Sequence, residues 1–176
     1  MLVVLEGEQK ESFHRWLFDN RERYPWIYFP DEIESSNQFD HWYPVIFDGK
    51  SLVAWIKLAR TSVFIHDFEA SVDLPGKVAF IYDTFVDPEY REQGLGCLII
   101  EKTRSFLATE GYTAVACHIE DWNIPSIKAF KAAGFKPLGH IQYIRLAFIR
   151  FLIIDSKFRP LSAIMSWLEK KNSTVL

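Results

Sequence analysis

The stretch from Lys77 to Gly111 limits what this chain can fold into more than any other. Val78-Ala79-Phe80-Ile81-Tyr82-Asp83-Thr84-Phe85-Val86 is an apolar run rich in β-branched and aromatic residues, closed by Asp87-Pro88, and it reads as a strand. Downstream, Leu95, Leu98, Ile99, Thr103 and Phe106 recur on one arc at helical spacing, with Gly111 after the last turn, which reads as an amphipathic helix. Between them lies Arg91-Glu92-Gln93-Gly94-Leu95-Gly96. A strand, a glycine-bearing turn and a helix follow in order, with the glycines where the helix starts.

Such a junction binds anions. The first amides of a helix have no intrahelical partner and the macrodipole leaves partial positive charge there, so backbone alone can hold a phosphate. Gly94 and Gly96 remove side chains that would block it, and Arg91 can add charge-assisted hydrogen bonds. Two glycines can also simply make a tight turn; the strand before, the helix after and the arginine favour the phosphate reading. A P-loop would need Lys-Ser/Thr after the second glycine, where the chain has Cys97-Leu98. A dinucleotide fingerprint would need a third glycine where the chain has Ile99.

The segment Val86-Asp87-Pro88-Glu89-Tyr90-Arg91-Glu92-Gln93-Gly94-Leu95-Gly96 resembles the Arg/Gln-x-x-Gly-x-Gly/Ala signature of the GNAT superfamily of acyl-CoA N-acyltransferases. Asn123-Ile124-Pro125-Ser126-Ile127-Lys128-Ala129-Phe130-Lys131-Ala132-Ala133-Gly134-Phe135 is similar to that family's second pattern, an Asn, a short helix and Gly-Phe. The two together cover residues 77 to about 143. The resemblance implies one α/β domain over residues 1–176, with a mixed, mostly antiparallel twisted sheet of about six to seven strands flanked by helices. A splayed parallel strand pair would hold the cofactor.

The rest of the chain fits around that core. Phe13, Trp16, Leu17 and Phe18 among charges point to a helix from Glu8 to about Tyr24. Tyr24 to Pro30 is aromatic and bounded by prolines, and Asp31 to Asp40 is acidic and polar, which excludes a long regular helix. The resemblance makes residues 8–42 the acceptor side; aromatics packed on a sheet edge would look the same. Tyr43–Phe47, Asp48-Gly49 and Ser51–Leu58 read as a hairpin, and Thr61–Phe68 as extended. Tyr112–Ile119 alternates, with Val115, Cys117 and Ile119 on one face and Ala114, Ala116 and His118 on the other. A helix joins it to the strand ending at Val86, so the two should be parallel. Asn123 is placed to cap the helix that runs to Gly134. The resemblance implies two closing antiparallel strands over Ile141–Asp155, although no Gly, Pro or Asn marks their turn. Residues 156–171 read as a C-terminal helix through Leu161, Ile164, Met165 and Leu168.

The formal charge of −3 on 176 residues opposes a nucleic-acid footprint. Met1–Leu5 reaches Glu6 too soon for a signal peptide, so a cytoplasmic protein is expected, as a monomer or homodimer. The two cysteines, Cys97 and Cys117, make no metal pattern and fit core packing. Cys97 stands near a helix start, where a thiol pKa can be lowered.

As a GNAT relative the chain would take acetyl-CoA as co-substrate and acetylate a primary amine by direct attack. The resemblance implies that the pyrophosphate lies on Arg91, Glu92, Gln93, Gly94, Leu95 and Gly96, and the pantetheine arm along Phe85 and Val86. Asn123, Ser126 and Phe130 of the second pattern would contact the cofactor, with no metal. Free alkylamines are mostly ammonium at neutral pH, so a base must remove a proton. Glu120 and Asp83, then His118, with Tyr82, lie near the ends of the two parallel strands and are the candidates. Many family members carry a Tyr acid where this chain has Phe130, and a phenyl ring cannot donate a proton. Water, Ser126 or Tyr82 would replace it, or the thiolate leaves unassisted. Two alternatives remain at this point. One is a non-catalytic acyl-CoA-binding module. The other is a membrane-surface acetyltransferase acting on a lipid-linked amine, its C-terminal segment using Arg150, Lys157, Arg159, Lys170 and Lys171.

Overall fold

The computed structural model, which describes residues 2–23, 41–65, 70–146 and 149–154, is built on five strands hydrogen-bonded into one sheet. These are β1 (Leu2–Leu5), β2 (His41–Asp48), β3 (Ser51–Ala59), β6 (Val78–Val86) and β7 (Ala114–Cys117), in the order β1-β2-β3-β6-β7. All neighbours are antiparallel except β6 and β7, which run parallel as the intervening helix requires. Two further ladders stand apart from that sheet: β4 (Ser62–Ile65) with β5 (Ala70–Asp73), and β8 (Ile141–Leu146) with β9 (Ile149–Ile154). The closing antiparallel pair expected after His140 is therefore present, with Leu146 opposite Ile149. The fold is the mixed, mostly antiparallel α/β type, its strands divided among these three ladders. The aromatic segment 24–40, residues 66–69 and the helix expected over 156–171 lie outside the described residues.

Among the described residues three α-helices accompany the strands: α1 (Gly7–Asp19), α2 (Leu95–Thr109) and α3 (Ile124–Ala132). Helix α1 buries Phe13 and Leu17, four residues apart on one face, against Tyr43 and Trp55. Burial of each side chain is worth roughly 1.5–3 kcal/mol. Helix α2 lies on the opposite face with Ile99, Ile100, Thr103 and Leu107 buried among Ile56, Leu58 and Ile81. Leu98, expected on the apolar arc, is 39% exposed, while Ile100 and Leu107 are inside. The packed stripe is centred on Ile99, Thr103 and Leu107, with Leu95 and Phe106 at its margin, where Phe106 meets Trp42 edge-on. Leu2–Leu5 forms a strand the sequence did not announce. It is the edge partner of β2, with Leu2 opposite Ile46 and Leu5 opposite Tyr43.

One irregularity decides which side chains reach which face. Lys57 pairs with Asp83, and the next residue, Leu58, pairs with Ile81, so β6 carries one extra residue, Tyr82, at a bulge. Side chains two apart on a regular strand share a face. Here the bulge puts Ile81 with the α2 core and Asp83 with Lys57 on the α1 face. Tyr43, Trp55 and Phe85 share that second face.

Candidate active site

The parallel pairing of β6 with β7 stops at Ile81 and Cys117, while β6 runs on to Val86. Among the described residues no strand takes β7's place beside the last part of β6, so a gap opens there. Strand geometry sets what faces it. Asp87 N–H donates to the Val53 carbonyl on the β3 side at 2.9 Å, and alternation then turns the amides of Thr84 and Val86 the other way. The Val86 carbonyl accepts from Arg91 Nε at 3.1 Å, consistent with that orientation. The splayed parallel pair expected from the sequence is thus present.

The mouth of the gap is the start of α2. Asp87 caps the short 3-10 turn Pro88–Tyr90 by accepting from Glu89 N–H at 3.0 Å. Gln93 Nε2 donates to the Glu89 carbonyl at 3.3 Å, and Glu92 takes a left-handed φ of 61°. Gly94 is the N-cap, at φ 79° with no side-chain cap. Leu98 N–H closes the first helical bond onto the Gly94 carbonyl at 3.0 Å, leaving Leu95, Gly96 and Cys97 without an intrahelical acceptor. A Cβ on Gly94 would meet nothing within 4 Å, whereas one on Gly96 would lie 3.6 Å from Ala129 Cβ. Gly94 keeps the space before the amides open; Gly96 seats α2 close to α3. The turn residues Arg91, Glu92, Gln93 and Gly94 are exposed around this point. Arg91 is engaged by the end of β6.

The second sequence pattern forms the neighbouring wall. Asn123 Oδ1 accepts from Ser126 N–H at 3.3 Å and caps α3, which has Pro125 in its first turn. Gly134 follows that helix where Arg104 Nη1 donates to the Ala133 carbonyl at 2.6 Å. Any Cβ there would sit 2.7 Å from the same guanidinium nitrogen, so glycine lets α2 and α3 lock together. Phe130 is only 4% exposed and stacks edge-on with Phe135 at 5.0 Å. It belongs to the core and leaves little surface for a ligand.

The candidate bases divide. Glu120 comes close enough for its charge to act on Asp83, and His118 sits half-buried in the same segment after β7. Tyr82 is the bulge residue, and its side chain lies outside the described residues. Burial raises the Asp83 pKa above the usual carboxylate range; Lys57 opposes the rise and Glu120 adds to it. Three neighbours escaped the sequence reading. Lys57, 7% exposed, has its pKa lowered by burial, with Asp83 pulling the other way. The Tyr43 hydroxyl lies 2.9 Å from His14 Nδ1, and burial first, then Asp83, raises the Tyr43 pKa. His14 is pushed down to about 4 by burial, then Lys57 and Lys10, so it is neutral at neutral pH. Lys57 falls on the Trp55 side of an otherwise apolar alternating strand, the one sign of it in the sequence.

Cys97 corrects an expectation. Its pKa is raised rather than lowered, by desolvation and then by Glu101, so the helix start does not activate it. Cys117 is pushed up to about 12 by burial. Among the described residues no group of three His, Cys, Asp or Glu could hold a metal, and no helix is long and apolar enough to cross a membrane. A separate hollow of about 320 Å³, lined by Glu6, Gly7, Lys10, His41, Trp42 and Arg60, lies at the other end of the strands from the α2 mouth.

Comparison with known proteins bears on this arrangement. The model of the acetyltransferase (GNAT) family matches residues 6–135. Thialysine N-epsilon-acetyltransferase of Bos taurus is 33% identical over 67 residues, 38% of this chain and 39% of that protein. The match thus spans about two-fifths of that curated relative. Two solved structures share the fold at 17% identity. The aminoglycoside N-acetyltransferase AAC(6')-Iy, in complex with the bisubstrate analog CoA-S-monomethyl-acetylneamine, superposes with TM-score 0.58 over 83% of this chain and 98% of that one. An aminoglycoside acetyltransferase from an uncultured soil metagenomic sample, in complex with trehalose, gives 0.55 over 85% and 95%.

Proposed function

The chain belongs to the acetyltransferase (GNAT) family, and from that premise we propose that it is a single-domain enzyme acetylating a primary alkylamine at the gap between β6 and β7. Acetyl transfer as a reaction class follows from membership, and members of the family use acetyl-CoA. The observation that carries the site assignment is the uncapped start of α2 standing at the mouth of that gap. The site fits the co-substrate: three amides without intrahelical acceptors, an open space at Gly94, and strand amides facing inward.

The amides of Leu95, Gly96 and Cys97 would hold the pyrophosphate, with Arg91 and Gln93 at the rim. The amides of Thr84 and Val86 would lie beside the pantetheine arm and orient the thioester carbonyl in the manner of an oxyanion hole. Bound there, acetyl-CoA supplies an activated acyl group. An alkylammonium with pKa near 10.4 is well under about 0.1% neutral at pH 7, so the protein must accept its proton. Asp83, with Glu120 beside it, is the acceptor. A carboxylate whose pKa is raised by burial is a stronger base than a solvated one. The two acids also favour a cation over a neutral acceptor. Phe130 has no proton to give, and a thiolate with a pKa near 8.5 is stable enough to depart without prior protonation.

The acceptor class, a flexible primary alkylamine, draws support from the thialysine enzyme and from the paired carboxylates. A thiol-release assay with acetyl-CoA and a panel of thialysine, lysine, linear diamines and sisomicin tests it. Thiol release with one of the alkylamines is expected. Acetyl-CoA binding without release on any amine would replace the reading with that of a non-catalytic acyl-CoA-binding module.

A further inference from the structure

The least ordinary group on the α1 face is a lysine. Lys57 stands in the middle of β3, between Trp55 and Ala59 on its own face, and is 7% exposed. A buried ammonium requires a partner, and its partner across the sheet is Asp83. Directly opposed cross-strand residues have Cβ atoms about 4.5–5.5 Å apart, within reach of a lysine head and a carboxylate. That opposition continues the register of Ala54 with Val86, Trp55 with Phe85 and Ile56 with Thr84, and Tyr82 is the extra residue immediately after it. The bulge turns Ile81 to the α2 core, leaving Asp83 on the face of Lys57, beside the gap where β7 departs.

We propose that Lys57 is a positioning residue of the transfer site: its ammonium, paired across β3 and β6, holds the Asp83 carboxylate ionised and in place to take the acceptor's proton. This rests on the reading of Asp83 as proton acceptor. The other groups around the pair do not duplicate its charge. From α1, His14 is neutral at working pH because burial and the Lys57 and Lys10 charges depress it. Lys10 has its pKa lowered by burial and then by Arg60, with Glu11 opposing, and its charge acts on His14. From β2, Tyr43 stays a neutral phenol, and His41 shares its face in ring contact with it. After β7, Glu120 adds negative charge, which opposes ionisation of Asp83. Among these, Lys57 is the group that offsets both the burial of Asp83 and the charge of Glu120. The chemistry balances without it as a reactant. The acceptor ammonium gives one proton to Asp83, nitrogen bonds to the acetyl carbon, the carbon–sulfur bond breaks, and the departing thiolate takes up the second nitrogen proton through water and leaves as the thiol.

The test uses the full chain with carbon-13 labelled aspartate, Asp83→Asn assigning the Asp83 signal. In Lys57→Met the Asp83 carboxyl should titrate at least about one pH unit higher than in wild type, a tenfold change in ionisation, and Lys57→Arg should restore it. The acid limb of turnover with thialysine and acetyl-CoA should move up by the same amount, with KM for acetyl-CoA unchanged. Lys57→Gln keeps a polar head without charge and carries the test if the Met variant does not fold. An unmoved titration in the uncharged variants, with Asp83→Asn inactive, overturns the role of Lys57 alone. Full turnover in Asp83→Asn overturns the proton-acceptor reading, and this inference with it.

Discussion

Replacing Gly94 by Trp separates a structural glycine from a binding one. The backbone at Gly94 has φ 79°, and a left-handed conformation costs a non-glycine residue roughly 1–2 kcal/mol. Nothing lies within 4 Å of a Cβ built there, so the side chain leaves the backbone without a clash. A domain with about 5–15 kcal/mol of stability stays folded. Binding should suffer far more. The helix start offers the amides of Leu95, Gly96 and Cys97, and hydrogen bonds to a charged group contribute about 1.5–3 kcal/mol each. An indole covering two of them removes about 3–6 kcal/mol, a loss of roughly 10²–10⁴-fold in acetyl-CoA affinity. Gly7→Trp is the control. That residue also has positive φ, 51°, and open space around it, and it lines the hollow remote from α2. Urea denaturation should show similar losses in both variants, and calorimetry with acetyl-CoA should show weakened binding in Gly94→Trp only. Unchanged affinity in Gly94→Trp, or a loss confined to Gly7→Trp, would refute the phosphate site.

Phe130→Ala should cost about 3–5 kcal/mol of stability, as expected for truncating a buried aromatic, while the fraction that remains folded keeps its turnover; loss of turnover without loss of stability would make Phe130 a site residue. Asn123→Ala should remove the α3 cap at a cost of about 1 kcal/mol, read by urea denaturation, with Asn123→Asp restoring it; an unchanged midpoint in the Ala variant would assign the side chain to ligand contact. Glu120→Gln should lower turnover more than acetyl-CoA affinity, the deficit shrinking at high pH as more acceptor is already neutral; a wild-type pH profile would remove Glu120 from the proton path.

Local signals were legible and long-range ones were not. The strand Val78–Val86 begins and ends where its β-branched run and Asp87-Pro88 say it should. Asn123 caps its helix, and the alternation after Tyr112 places Val115, Cys117 and Ile119 toward the α2 core. Each of these depends on neighbours a few residues away. The bulge at Tyr82 depends on how β3 and β6 register across more than twenty residues, and no local pattern encodes it. Asp83 could therefore be named a candidate, but its pairing with Lys57 could not. The same holds for His14 and Tyr43, 29 positions apart and joined through their side chains. Leu98 was misplaced because an apolar arc read from spacing alone does not fix which side of it meets the sheet, and Ile100 and Leu107 turned out to be the buried flank. Cys97 packs against the core, as its residue type suggested, and the lowered thiol pKa that a helix start can give is outweighed by desolvation and the Glu101 carboxylate.

The measurement that tests the central claim most directly is an amide chemical-shift titration of the full chain with acetyl-CoA. The account predicts saturable shifts concentrated at Leu95, Gly96 and Cys97 on α2 and at Thr84 and Val86 on β6, with β1 and the start of α1 unmoved. Shifts centred instead on Gly7, Lys10 and His41, or none at millimolar acetyl-CoA, would contradict it.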